Sequence, residues 1–340
     1  MEKRNIIDKD GNVIIGMINN QEINFNYKDY RLLNFFDKEV HGIKKRFKFH
    51  HFNYYALLSE NYVLAFAVVD LGYIKNMFLY LYDYSGKFLI KTEKKLLPFL
   101  KNLDFPINPD TYLIEFKEGN QFLSVKKDFS KKSLIVNANI KELNLSFEAS
   151  YGMDNFPLKT VMPAGHNGWT FTEKCSNINE IKDIKIIYNS KKLDFSNSSL
   201  IYDWSGGYLK RETNWIWASF SGIAKNNETV GANFAAMVNE TYDSENIFWI
   251  NNKPFKEDII LFNYNKNAPY NPWEIENKAK TVKIKFFPRD EINDNTNAFL
   301  VKNSFVQFIG KFKGYFLDEN NNKVEFDNLS GVTEIHKALW

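Results

Sequence analysis

From residue 46 onward the apolar residues of this chain recur at every second position, in short runs parted by turn formers. Nowhere do they recur with the period of a long helix. Leu143, Leu145 and Phe147 alternate with Asn144, Ser146 and Glu148. Phe47, Phe49 and His51 alternate with Lys48 and His50. Such a pattern buries one face of a strand and leaves the other to a different environment. Runs of this kind fall at 62–69, 77–82, 88–91, 112–116, 122–125 and 134–136. They resume at 184–188 and continue to 324–326, with expected strands at 282–286, 299–308 and 311–317 among them. Ser85-Gly86, Glu118-Gly119-Asn120, Asn226-Asn227 and Asn251-Asn252 supply tight turns between them. A single helical turn is expected between Glu93 and Leu103, cut short by Pro98. Strands at this spacing predict an all-β chain of antiparallel meanders, closed as barrels or sandwiches. Closure also removes the edges that so many apolar strands would expose.

A chain of 340 residues exceeds one typical domain, and two are expected. Residues 150–163 hold two prolines and a glycine, which places the boundary there: 1–160 as a first barrel with an N-terminal strap, 161–340 as a second. With 44% hydrophobic and 16% aromatic residues, core material is plentiful. The charge balance, 44 basic residues against 41 acidic, lacks the basic excess of a nucleic-acid-binding protein. The first ten residues hold no apolar core of a signal peptide, and no apolar run reaches the length of a membrane span. A lone cysteine, Cys175, rules out an internal disulfide and a cysteine zinc cluster. These features predict a cytoplasmic protein.

Chemistry concentrates in residues 202–220, where Tyr202, Trp204, Tyr208, Trp215 and Trp217 stand near Asp203, Arg211 and Glu212. Taken as a strand, 211–220 puts Arg211, Thr213, Trp215, Trp217 and Ser219 on one face. The next strand puts Asn233 among small residues (Gly231, Ala235) on one face, and Phe234 with Glu240 on the other. Aromatic walls, small residues and a few polar groups make up a small-molecule pocket. The same stripe equally describes the filled interior of a barrel, and both readings stand. Asp203, Glu212 and Glu240 are the candidate acids or bases, since a carboxyl group in an apolar pocket can hold its proton near neutral pH. Trp215 and Trp217 would then face a developing carbocation.

The five histidines lack metal-binding spacing, so no metal is expected. His166 sits in a Gly-rich loop before an alternating run that ends in Lys174. Each either faces a cavity or is solvated. No nucleophile elbow, phosphate loop or dinucleotide fingerprint occurs. His50, His51 and Tyr73 are pointers to any site in the first half.

Several stretches resemble the DUF2804 proteins of bacteria and fungi. They are Phe171-Thr-Glu-Lys174, Tyr202-Asp-Trp-Ser-Gly-Gly207 and Arg211-Glu-Thr-Asn-Trp-Ile-Trp-Ala218. Gly231-Ala-Asn-Phe234, Glu245-Asn246 before Trp249, residues 305–310 and Gly331-Val-Thr-Glu-Ile-His336 are similar, as are Asp70-Leu-Gly-Tyr73 and Tyr80-Leu-Tyr-Asp83. That family is in turn distantly similar to two-domain lipocalin-like proteins of the carotenoid 1,2-hydratase type. The resemblance implies two tandem lipocalin-like antiparallel β-barrels, an apolar or amphipathic small-molecule ligand and no cofactor. Two functions follow. In the first, a cofactor-independent lyase or isomerase, Asp203 or Glu240 protonates the substrate and Tyr202 or Tyr208 relays. Arg211 binds a polar end, and Trp204, Glu212, Trp215, Trp217, Asn233, Lys174 and His166 complete the pocket. In the second, a carrier holds the same ligand unchanged.

Overall fold

The computed structural model describes residues 3–19, 21–97, 103–154, 156–238, 242–298 and 301–340. Three antiparallel sheets carry most of them. An eight-stranded sheet runs Gly16–Met17, Leu158–Pro163, Trp169–Ile178, Ser199–Tyr208, Phe49–Leu58, Tyr62–Asp70, Lys75–Asp83, Lys87–Leu96. A seven-stranded sheet runs from Lys191–Lys192 through Ile181–Tyr188 and Leu145–Gly152 to Leu103–Asp104. The third, of nine strands, takes every strand from Glu212–Ile223 to Lys323–Leu339.

Alternation explains how these sheets stack. On the central strand Phe49–Leu58, the side chains of Phe49, Tyr55 and Leu57 enter a core shared with Ile114, Val125 and Phe147 of the seven-stranded sheet. Their neighbours Tyr54, Ala56 and Leu58 point the other way, onto Trp217, Ile292, Ile309 and Val332 of the nine-stranded sheet. Both of its faces are therefore covered, and every residue of the strand but Phe52 is buried, His50, His51 and Asn53 included. Full burial of a side chain such as Leu57 or Phe66 contributes about 1.5–3 kcal/mol. The nine-stranded sheet curls until its two ends share one core, in which Phe234 and Phe248 from one end meet Ile260 and Trp273 from the other. The fold is all-β, as the periodicity predicts, in two lipocalin-like domains.

Sheet membership divides the chain later than residue 160. Leu158–Pro163, Trp169–Ile178 and Ser199–Tyr208 are hydrogen-bonded into the sheet of Phe49–Leu58, so the change of sheet falls between Tyr208 and Glu212. The prolines near 160 mark a turn within the first domain. Two local expectations also change. Lys87–Leu96 is a strand, so residues 93–96 hold no helical turn; residues 98–102 lie outside those described. Where short strands were expected after 282, the chain forms three long ones, Val282–Ala298, Val301–Leu317 and Lys323–Leu339. Residues 293–297 are rich in Asn and Asp and mimic a turn in sequence, but here they pair in register with residues 302–306. The one α-helix, among the described residues, is Gly42–Phe47, and no helix there is long and apolar enough to cross a membrane.

The N-terminal residues form a strap. Arg4–Asn5 pairs with Ile23–Asn24, and the Ile23 amide donates to Asp110 Oδ2 at 2.5 Å. The domains meet closely at Gly231, where a Cβ would stand 1.6 Å from the Ser176 carbonyl oxygen. Only glycine permits that approach of two backbones. Ser176 and Ser219 share a hydrogen bond beside it, and Trp249 Nε1 donates across the junction to the Phe156 carbonyl.

Candidate functional site

A cavity of about 660 Å³ lies between the eight-stranded and nine-stranded sheets. Its walls are mainly aromatic and aliphatic, with Tyr54, Phe78 and Tyr80 from one domain facing Trp215, Trp217 and Phe305 from the other. The barrel interior expected to hold a ligand is instead packed, with Trp273, Phe286 and Phe312 fully buried in the second domain. Strand alternation sends the aromatic residues of 202–220 to two different places. Trp215 and Trp217 line the cleft. Trp204 and Tyr208 point into the first domain, where Trp204 meets Phe25 and His51 edge-on or tilted and Tyr208 packs on Phe49 and Trp169. Tyr202 also points inward, and its hydroxyl donates to Glu173. These three side chains are core, so the sequence-based placement of Tyr202, Trp204 and Tyr208 at the ligand is corrected.

Asp203 does reach the cleft, and it brings a partner with it. Lys174 stands directly across from it on the neighbouring strand, with Nζ 2.7 Å from Asp203 Oδ2. The same Nζ lies 2.8 Å from Glu245 Oε2, contributed by the other domain, and 5.7 Å from the centre of the Trp217 ring. The remaining Asp203 oxygen accepts from Ser205, whose hydroxyl pairs with Thr172. Asn233 lies behind this group. Its Oδ1 accepts from Trp217 Nε1 and its Nδ2 donates to the Glu245 carbonyl, both at 2.7 Å, so one side chain fixes the indole and the Glu245 segment together. Burial raises the Glu245 carboxyl above its ordinary value; Lys174 opposes this and the Asp203 charge adds to it. Burial alone would lower Lys174, but its two carboxylates outweigh that and raise it, so it stays an ammonium.

A second polar group lies beside the first, with Glu334 the cross-strand partner of Trp217 and Tyr54 that of Asp203. Glu334 accepts from Trp215 Nε1 at 2.7 Å and from Gln307 Nε2 at 3.0 Å. Gln307 Oε1 in turn accepts from Tyr80 at 2.8 Å and from Tyr54 at 3.3 Å, across the domain boundary. His336 packs against the Trp215 ring at 4.1 Å and holds Asn303 through Nε2. Burial raises both tyrosine hydroxyls, so they remain protonated donors.

The other nominated residues fall elsewhere. Arg211 bonds the Trp340 carbonyl and clasps the C-terminal strand rather than lining the cleft. Glu212 borders a separate surface depression with Asn214 and Lys337. His166 is exposed in its loop. Glu240 lies outside the described residues. Glu245, Gln307 and Glu334 were not nominated, although each sits inside a stretch that carries the family resemblance. Among the described residues no group of three His, Cys, Asp or Glu side chains is arranged to hold a metal.

Comparison with known proteins agrees with the architecture. CghA, solved with Sch210972, is 8% identical, with 86% of this chain and 88% of that chain covered at a TM-score of 0.50. Kievitone hydratase from Nectria haematococca is 13% identical over 84% of this chain and 88% of its own, at a TM-score of 0.49. No curated protein matches the chain in sequence. The model of the domain of unknown function DUF2804 matches residues 1–340, and the chain belongs to that family.

Proposed function

We propose that this DUF2804 protein binds an apolar or amphipathic small molecule in the cleft between its domains and transforms it by proton transfer, as a lyase or isomerase. One observation carries the reading: two carboxylates, Asp203 and Glu245, share the single ammonium of Lys174 at an aromatic-walled cavity. One negative charge is left over, and burial favours a proton on Glu245. That carboxyl group is the acid. Its proton adds to one carbon of a substrate C=C bond, and the cation formed on the neighbouring carbon faces Trp217 or Trp215. Loss of a different proton to the Glu245 carboxylate completes an isomerisation. Capture by water, with the water proton returned to Glu245, completes a hydration. Asp203 holds Lys174 and thereby sets the charge that Glu245 experiences; it is a positioning residue. Glu334, which lines the cleft near Tyr54 and Tyr80, orients a polar end of the substrate. A small molecule held by a protein of the same fold, CghA with Sch210972, supports binding of such a compound.

The test is native mass spectrometry of freshly purified protein, followed by chromatography of the released compound before and after incubation with enzyme. Wild type is expected to carry and convert an apolar compound. Trp217→Ala should lose it, and Glu245→Gln should retain binding while conversion falls by about 10²-fold or more. A compound that is held but never altered makes the protein a carrier. Undiminished binding in Trp217→Ala removes the ligand from this cleft.

A further inference from the structure

Beside one end of the cleft the chain builds a feature that neither binding nor proton transfer uses. Residues 32–40 form a tight hairpin in which Leu33 pairs with Glu39 and the Asn34 amide donates to the Lys38 carbonyl at 2.8 Å. Asn34 Oδ1 accepts from the amides of Phe36 and Lys38, and Asp37 takes a left-handed conformation with φ 57°. This well-bonded turn holds Phe35 and Phe36 out in solvent, 91% and 77% exposed, with ring centres 5.3 Å apart. The hairpin runs straight into the helix Gly42–Phe47, which adds Ile43 at 62% exposure. Lys45 ties the helix to the carbonyls of Lys28 and Tyr30 at 2.7 and 2.5 Å, so segment, hairpin and helix form one surface.

Charge sets this surface apart from the rest of the chain. Residues 28–48 hold seven Lys or Arg against three Asp or Glu, a net +4 that Asp70, paired with Arg46 at 2.7 Å, reduces to +3, the net charge of the whole chain. Two large aromatics on a rigid tip are an unfavourable thing to leave in water, and lysines placed beside them match a surface that is apolar within and anionic outside. The position also fits. Phe47 packs edge-on at 6.5 Å against Tyr73, which lines the cleft. Asn167 donates to the Asn34 carbonyl at 3.1 Å, tying the hairpin to the loop that follows Ala164, another cleft residue.

We propose that this face is a peripheral docking site for an anionic lipid bilayer, with Phe35 and Phe36 inserted among the headgroups and Lys44 and Lys48 at the lipid phosphates. Docked in this way, the protein holds that end of its cleft against the bilayer, where apolar compounds dissolve. That consequence rests on the function proposed above, but the docking does not.

The test is flotation of the full chain with vesicles of phosphatidylcholine alone or containing about a third phosphatidylglycerol, at low and high salt. Wild type should float with the anionic vesicles, and less so as salt screens the lysines. Phe35→Ala with Phe36→Ala should weaken binding by at least about tenfold. Lys44→Glu with Lys48→Glu should weaken it similarly and flatten the salt dependence. All four side chains are exposed, and circular dichroism with thermal melting checks that each variant folds. Failure of wild type to float, equal binding to neutral vesicles, or variants that bind like wild type would overturn the proposal. So would a dimer by light scattering that the two Phe→Ala changes dissolve, since a second copy would then be the occupant. Because flotation needs neither ligand nor turnover, its failure is distinct from failure of the proposed activity.

Discussion

Glu173 and Lys174 are adjacent on one strand, yet they anchor two ionic clusters with opposite characters. Glu173 points into the first domain, fully buried, between the ammonium groups of Lys127 and Lys159. Lys159 also pairs with Asp110, and the Tyr202 hydroxyl donates to Glu173. Two cations face two carboxylates, and the charges cancel. Lys174 points into the cleft and faces two carboxylates by itself. Burial raises Asp110 and lowers Lys127 here too, but a balanced cluster sealed from water has no ligand to exchange a proton with. An unbalanced one beside a cavity gains by taking a proton, and can give it up to a ligand. Access to the cavity and the count of charges together distinguish structural ions from reactive ones.

The largest effect should come from unbalancing the sealed cluster. Glu173→Gln leaves two buried ammonium groups with one carboxylate between them, and should cost about 3–5 kcal/mol of stability in urea titrations. A loss under about 1 kcal/mol would mean that water reaches this cluster, and the contrast would fail. Lys174→Met leaves Asp203 and Glu245 without their cation and should cost about 2–3 kcal/mol near neutral pH. That loss should shrink on acidification, as Glu245 takes up a proton and relieves the repulsion. A pH-independent loss would show that Glu245 does not titrate in the folded protein.

Glu245→Gln should have the smallest effect on stability, within about 1 kcal/mol at neutral pH, but a diagnostic effect on its pH dependence. The folded-state value of Glu245 is raised, so the folded protein binds more protons than the unfolded chain just above the ordinary glutamate value of 4.5. Its contribution is complete below that value and is lost as pH rises through the raised one. Glu173 has the opposite sign. Burial would raise it, but Lys127 and Lys159 outweigh burial and hold it lowered. Its contribution is present above 4.5 and is lost as pH falls through its lowered value. Stability measured from neutral pH down to below the lowered Glu173 value should therefore lose a falling component above 4.5 in Glu245→Gln, and a rising component below 4.5 in Glu173→Gln.

The strands were legible in the sequence because alternation is a local property. Leu145, Phe147, Ala149 and Tyr151 face inward on one strand, as the pattern requires. The Trp215–Trp217 face was legible for the same reason, and both indoles line the cleft. The misplacements of Tyr202, Trp204 and Tyr208 share one cause. Tyr202, Asp203 and Trp204 are neighbours in sequence and were gathered into one site, but successive side chains on a strand point to opposite faces. In an ordinary sheet one of those faces would be solvent. Here both are buried, one against the seven-stranded sheet and one against the second domain, so polarity does not reveal which face lines a cavity. Glu245, Gln307 and Glu334 were missed because each is far along the chain from the groups it meets. Lys174 and Glu245 are joined only when the two domains dock.

The sequence by itself therefore determined the all-β class, the turns, and which residues share a face, since each is written in the two-residue period of the backbone and in local turn chemistry. Only the tertiary structure decided that the barrels are filled, that the cavity lies between the domains, and that one lysine serves two carboxylates. Those facts depend on which sheet covers which face and how closely two backbones approach, and long-range packing sets both.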